Sequence, residues 1–175
     1  MVAEIRPLRP EDDRSQFRSG DLDLDRFFAR FAGQNQFRHH IGVTYVAVED
    51  GDVLGFATIA AGQVEVAELP RELRTRLPRY PLPVLRLARL AVDERAQGRG
   101  LGSLLLVTVF ELAHGMAATV GCAGVVVDAK PAAISFYARL GFREMEVRSG
   151  LLEERPQPVA MYLHLSAIPK LEDQR

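Results

Sequence analysis

Cysteine is almost absent from this 175-residue chain: Cys122 stands alone. That excludes an internal disulfide framework and any multi-cysteine zinc site, and Cys122 itself reads as a buried structural thiol. Histidine is scarce too. His39 and His40 are adjacent while His114 and His164 are isolated, a scatter that builds no metal site. No apolar run approaches the roughly 18 residues that span a bilayer, so no membrane partner is expected. The opening stretch, MVAEIRPLRPEDD, lacks the apolar core of a signal peptide, and a cytoplasmic location is expected. Lysine is confined to Lys130 and Lys170, all other basic residues being arginine. Genomic codon bias accounts for that preference as readily as function does.

What is present fits one globular domain over residues 1–168 with a short charged tail at 169–175. Apolar residues make up 47% and charged residues 26%, which excludes disorder and collagen-like repetition. The net charge of −1 hides an asymmetry. Between Arg71 and Arg99, eight arginines stand against Glu72, Asp93 and Glu94, a local excess of five positive charges. Such a segment favours a phosphate-bearing ligand, though a solvated charged face has the same composition.

The pattern of elements alternates. Val2–Leu8 reads as a short strand. Leu24, Phe27, Phe28 and Phe31 recur at helical spacing and predict one helix from about Asp21 to Arg38, with Ser19-Gly20-Asp21 as its start signal. Val43–Val48 and Val53–Ile59 are strands joined by a turn at Glu49-Asp50-Gly51-Asp52. The four prolines between Leu69 and Pro83 mark a surface connection with at most a helical turn. A strand at Val84–Val92 precedes a helix at Gly102–Ala118, whose stripe Leu105, Val109, Leu112, Met116 faces a core. Ala123–Val127 is an apolar, interior strand. Pro131 opens a helix that Gly141 closes. Phe142–Arg148 and Pro158–Leu165 are closing strands around a Leu151–Gln157 loop. The fold class is α/β with a mixed sheet.

The segment from Leu90 to Leu105 carries the chemistry. It runs strand, glycine-rich turn, amphipathic helix, so that backbone N–H groups and a helix N-terminus converge on one point, a cradle for a pyrophosphate. The Gly-Lys-Ser/Thr ending of a P-loop is absent. The spacing Gly98-x-Gly100-x-Gly102 also misses the dinucleotide fingerprint. A plain glycine turn between strand and helix remains the alternative reading of these residues taken by themselves.

Gln97-x-x-Gly100-x-Gly102 after an apolar strand, followed by Phe136-Tyr137-x-x-x-Gly141-Phe142, resembles the GNAT superfamily of acyl-CoA-dependent N-acetyltransferases. The resemblance implies a largely antiparallel sheet, splayed at the coenzyme site and flanked by helices. It implies acetyl-CoA as co-substrate and no metal. The pyrophosphate would rest on Gln97, Gly98, Arg99, Gly100, Leu101, Gly102 and Ser103. The pantetheine arm would pair with Leu90, Ala91 and Val92, in the opening between that strand and Ala123–Val127. Tyr137 becomes the catalytic candidate: a phenol with a pKa near 10 can protonate a departing thiolate. Phe136 and Phe142 would anchor its helix in the core.

A narrower resemblance is to GNAT toxins of type II toxin–antitoxin systems. It rests on Phe17-x-Ser19-Gly20, Leu24-Asp25-x-Phe27-Phe28, Gln34-Asn35-Gln36, and the run Pro81 to Val92. It implies acetylation of the α-amino group of aminoacyl-tRNA, and restraint by a small ribbon-helix-helix antitoxin. The candidate substrate residues are Asn35, Arg71, Arg74, Arg76, Arg79 and Arg89, with helix capping an equal role for Asn35. Transfer to a small amine or a protein terminus, and a non-catalytic acyl-CoA-binding module, stay open as alternatives. The oligomeric state is open as well, a homodimer being one outcome.

Overall fold

A computed structural model describes residues 2–146 and 158–170. Seven strands form one mixed sheet in the order β1-β2-β3-β4-β5-β7-β6. Strand β1 (Glu4–Pro7) pairs antiparallel with β2 (Val43–Glu49), and β2 with β3 (Asp52–Val64). The β2–β3 turn is the expected one: Asp50 and Gly51 both take positive φ, 50° and 84°. The backbone twist of such a turn matches the flanking strands. Strand β3 runs five residues past the predicted end.

The single helix expected over 21–38 is two. Helix α1 (Leu22–Arg30) begins where predicted, with the Asp21 carboxylate accepting from the amides of Asp23 and Leu24. Helix α2 (Ala32–Phe37) follows after Phe31, whose φ of −116° leaves helical values. At the break the Phe28 carbonyl accepts from the guanidinium of Arg14, fourteen residues earlier, at 2.6 Å, and Gly33, a weak helix former, sits against that same guanidinium. The Gln36 side chain then ties α2 to the sheet, donating to the Leu8 carbonyl and accepting from the Thr44 amide.

The 65–83 connection contains helix α3 (Arg71–Arg74), one turn long as expected. It is not wholly superficial, because Leu69 is fully buried. Strand β4 (Leu82–Val92) leads through the glycine turn into α4 (Leu101–Thr119). The buried line of α4 is Leu101, Leu105, Leu106, Val109 and Ala113; Leu112 and Met116 are only half-buried, so the stripe is rotated from the predicted one. By length and mean hydropathy, 19 residues and 1.6, α4 could cross a membrane, contrary to the sequence expectation that no such stretch exists. The buried line is what a core helix requires.

Strand β5 (Gly124–Ala129) pairs antiparallel with β7 (Val159–His164), which also pairs with the two-residue β6 (Arg143–Glu144). The last strand is thus inserted between β5 and β6, and Met161, Tyr162 and Leu163 are all buried, as an interior strand demands. Gly124 is obligatory here. A Cβ at that position would stand 2.7 Å from the Tyr162 ring. Helix α5 (Ile134–Arg139) completes the elements before β6. The expected strand to Arg148 lies partly outside the described residues. The Leu151–Gln157 loop lies wholly outside them, and so does most of the 169–175 tail.

The chain groups into two compact units, Met1–Ala60 with Leu87–Phe110, and Ala61–Arg86 with Glu111–Arg175. The first is built on phenylalanine: Phe28 stacks on Phe56 at 4.2 Å, and Phe17 meets both edge-on at 4.9 and 5.5 Å. The second packs Val64, Leu69, Leu82, Val84, Val126 and Tyr162.

Candidate active site

The turn after β4 is a surface feature pinned at both ends. Ala96 and Leu101 are buried, while Gln97, Gly98, Arg99 and Gly100 are exposed. Gly98 and Gly100 adopt φ of 79° and 81°, and no atom lies within 4 Å of where a Cβ would stand on either. Only glycine takes this conformation without strain, and the concavity it leaves is open. The first helical bond of α4 runs from the Leu104 amide to the Gly100 carbonyl, 3.0 Å. The amides of Leu101, Gly102 and Ser103 therefore precede the intrahelical ladder and are available to an anion, at the positive end of a 19-residue helix. Open glycines and unspent amides are what a pyrophosphate needs, so these residues fit coenzyme A.

Gln97 does more than lend its amide. Its side-chain nitrogen donates to the Val92 carbonyl (3.0 Å) and to the Ser19 carbonyl (2.9 Å). Sequence reasoning missed Asp93 beside it. That carboxylate is 1% exposed. One oxygen accepts from the Arg95 amide and Nε, both at 2.9 Å; the other accepts from Arg95 Nη2 (3.2 Å) and the Arg18 amide (3.1 Å). Burial alone would raise its pKa, but the bonds from Arg95 and Arg18 outweigh burial and hold it below the usual carboxylate value. The signal was present as an aspartate ending an apolar strand, a residue type that caps turns.

Tyr137 lies on α5, buried to 5% exposure. Its ring meets Phe136 edge-on at 5.2 Å and Phe142 at 5.4 Å. Phe142 is buried and Phe136 only half-buried, so of the two expected anchors Phe142 is the deeper. The helix closes as predicted at Gly141, φ 96°: the Phe142 amide reaches the Tyr137 carbonyl and the Gly141 amide reaches that of Ala138. Burial pushes the phenol pKa well above its ordinary value. The group stays protonated through neutral pH, the state of a proton donor.

The arginine-rich segment is less bare than its composition suggests. Arg74 pairs with Glu146 at 2.6 Å and donates to the Leu69 carbonyl; Arg71 reaches the same glutamate at 3.8 Å. Arg86 pairs with Asp128, Arg95 with Asp93, Arg99 with Glu49. The Arg89 guanidinium lies 3.8 Å above the Phe27 ring. Arg76 and Arg79 are exposed with no ion pair among the described residues. Arg74 and Arg79 line a depression of about 540 Å³ with Glu65, Thr75 and Leu77. Asn35 lies within α2, where its backbone carbonyl accepts from the Ile41 amide, a bond that any residue there could make. A larger depression, about 1070 Å³ and lined by His114, Cys122, His164 and Lys170, holds none of the predicted residues. No group of three metal-binding side chains occurs among the described residues.

The family model for the acetyltransferase (GNAT) domain matches residues 40–144, which contain the glycine turn and Tyr137. A tRNA-acetylating toxin of Mycobacterium tuberculosis is 36% identical over 138 residues, 78% of this chain and 82% of that protein. Among solved structures, AtaT complexed with acetyl-methionyl-tRNAfMet superposes with a TM-score of 0.81 at 25% identity, covering 95% of this chain and 96% of that one. AtaTR bound with acetyl-CoA gives 0.74 at 27% identity, over 95% and 96%. The chain belongs to the GNAT acetyltransferases, as a relative of the tRNA-acetylating toxins of toxin–antitoxin systems.

Proposed function

We propose that this acetyltransferase moves the acetyl group of acetyl-CoA onto the α-amino group of aminoacyl-tRNA, blocking translation as a toxin. The observation that carries the reading is the 36% identity to a tRNA-acetylating toxin over 78% of the chain. Bound acetyl-CoA supplies the activated acyl group as a thioester. The turn from Gln97 to Ser103 holds the pyrophosphate on its amides, and the backbone of Leu90 to Val92 aligns the pantetheine arm. As the amine nitrogen bonds to the acyl carbon and the carbon–sulfur bond breaks, the Tyr137 phenol gives its proton to the sulfur. It recovers one through solvent from the nitrogen, which must shed a proton to become an amide. An aminoacyl ester amine has a pKa below the α-amino reference of about 7.7–8.0, so a substantial share is neutral near pH 7 and no strong base is needed. Arg76 and Arg79, exposed and with no ion pair among the described residues, are cations that can meet tRNA phosphates.

On this reading the enzyme works in the cytoplasm, where charged tRNA resides. A small antitoxin, of the ribbon-helix-helix type, holds it in check. The test is acetyl transfer from acetyl-CoA to bulk aminoacyl-tRNA, set against a panel of free amines. Transfer to tRNA together with growth arrest on expression without an antitoxin supports the proposal. Turnover confined to free amines, without growth arrest, removes it and leaves a GNAT enzyme of another substrate.

A further inference from the structure

We propose that Asp93 is a positioning residue for coenzyme binding, splicing the N-terminal segment at Arg18–Ser19 to the root of the glycine turn. This rests on the reading of residues 97–103 as the pyrophosphate cradle. The argument starts from what the cradle lacks. Gly98 and Gly100 have open space where side chains would pack, so at the two glycines no packing holds the turn in shape. Between them Arg99 reaches Glu49 through a long side chain, and the backbone is anchored at its two ends. Downstream the anchor is buried Leu101 and the helix itself. Upstream the anchor is the Asp93 carboxylate, which accepts four bonds, beside the Gln97 side chain, which makes two.

Three of those bonds fold the chain's own Arg95 back onto the carboxylate. The fourth reaches the Arg18 amide, 75 residues away in sequence. The Glu94 amide answers by donating to the Arg18 carbonyl at 2.8 Å, so both backbone groups of Arg18 are used. One residue on, the Ser19 carbonyl takes the Gln97 side chain, while the Ser19 amide and hydroxyl donate to Asp25 in the first turn of α1, at 2.9 and 2.6 Å. Gly20, φ 94°, lets the chain pass Glu94: a Cβ there would stand 3.0 Å from the glutamate oxygen. The start of α1 and the root of the coenzyme turn are one hydrogen-bonded piece, and Asp93 is its buried centre. An Asn at 93 must turn an N–H₂ towards donors on one side or the other. One connection then breaks while the side-chain volume is unchanged.

The experiment is calorimetry of acetyl-CoA binding together with steady-state kinetics on the full chain. We expect Asp93→Asn to raise the Kd and KM for acetyl-CoA about tenfold, the scale of a lost bond to a charged group, with kcat at saturating acetyl-CoA within about twofold. A merely structural role would lower the active fraction and so kcat, and leave KM alone. Arg95→Ala, at a half-exposed side chain, keeps the test alive if Asp93→Asn fails to fold; it should raise Kd about threefold. Unchanged Kd in folded Arg95→Ala and Asp93→Asn protein, or a loss confined to kcat, overturns the proposal. Gly100→Asp separates the two failures. If it abolishes binding while Asp93→Asn does not weaken it, the cradle stands and the positioning role falls. If neither weakens binding, the cradle reading itself is wrong.

Discussion

Replacing Tyr137 with phenylalanine separates packing from chemistry at the group assigned to proton donation. The edge-on contacts with Phe136 and Phe142 are made by the ring, which the substitution retains. Stability should therefore change by no more than about 1 kcal/mol, the scale of one hydrogen bond, or a melting shift of about 2–4 °C for a chain of this size. Acetyl-CoA affinity should hold within about twofold, because the proposed cradle makes no use of the hydroxyl. Turnover should fall by about 100- to 10,000-fold, the usual worth of a general acid, equivalent to about 3–5 kcal/mol of barrier. The pH dependence sharpens the test. Burial raises the phenol pKa, so the donor form persists above the ordinary tyrosine value near 10, and no basic limb below that pH should trace to Tyr137. The assay is single-turnover transfer of labelled acetyl from saturating acetyl-CoA to aminoacyl-tRNA between pH 6 and about 9.5. A folded variant with the wild-type single-turnover rate would refute the argument, since the thiolate proton must then come from water or another side chain.

Gly100→Asp should abolish acetyl-CoA binding in calorimetry while the protein stays folded, because it adds a carboxylate to the cradle and a side chain at a φ of 81°. Gly124→Ala should destabilise by about 3 kcal/mol or more by overpacking against Tyr162, read as a fallen denaturation midpoint. Joint replacement of Arg76 and Arg79 by glutamate should weaken tRNA binding and flatten its salt dependence with acetyl-CoA binding intact. Arg74→Glu should instead lower the melting temperature, because it breaks the bond to the Leu69 carbonyl and the pair with Glu146. The two bonds from Arg6 hold the Asp12 carboxyl below its usual pKa, so its stabilising contribution is full above the unfolded value of about 3.9 and fades as pH falls through the lower folded value. Asp12→Asn should therefore be less stable than wild type at pH 7, and the two denaturation curves should converge in acid.

Local signals were legible and long-range ones were not. Asp21 as a cap, the Asp50–Gly51 turn and Gly141 at a helix end are decided within a few residues, and the structure keeps all three. The break at Phe31 depends on Arg14, a residue that approaches only in the folded chain. The insertion of β7 between β5 and β6 also escaped the sequence, since strand order is settled by which faces must be covered. Several of the N-terminal residues that carry the resemblance to the toxins hold the fold. Phe17, Phe27 and Phe28 build the core, Gln36 ties α2 to the sheet, and Ser19 and Asp25 lead to the coenzyme turn. Asp93 is legible as a turn cap, through Arg95 two residues on, but its bond to Arg18, far away along the chain, is not. The positive stretch from Arg71 to Arg99 misled in the other direction: composition counts charges and does not show which are matched by Glu49, Asp93, Asp128 and Glu146.

The closure of α5 has a consequence for how the tyrosine keeps its aim. Tyr137 is flanked by a ring one residue before it and a ring five residues after it, and its own carbonyl is the acceptor that ends the helix. Both of its aromatic contacts thus come from one stretch of seven consecutive residues, 136–142. The tilt of the ring against its own helix is set within that stretch, while its burial comes from the core around it. If Tyr137 is the proton donor, the direction of its phenol is inherited in part from local chain geometry, and a substitution at Phe142 or Gly141 would disturb the acid more directly than one on a distant surface.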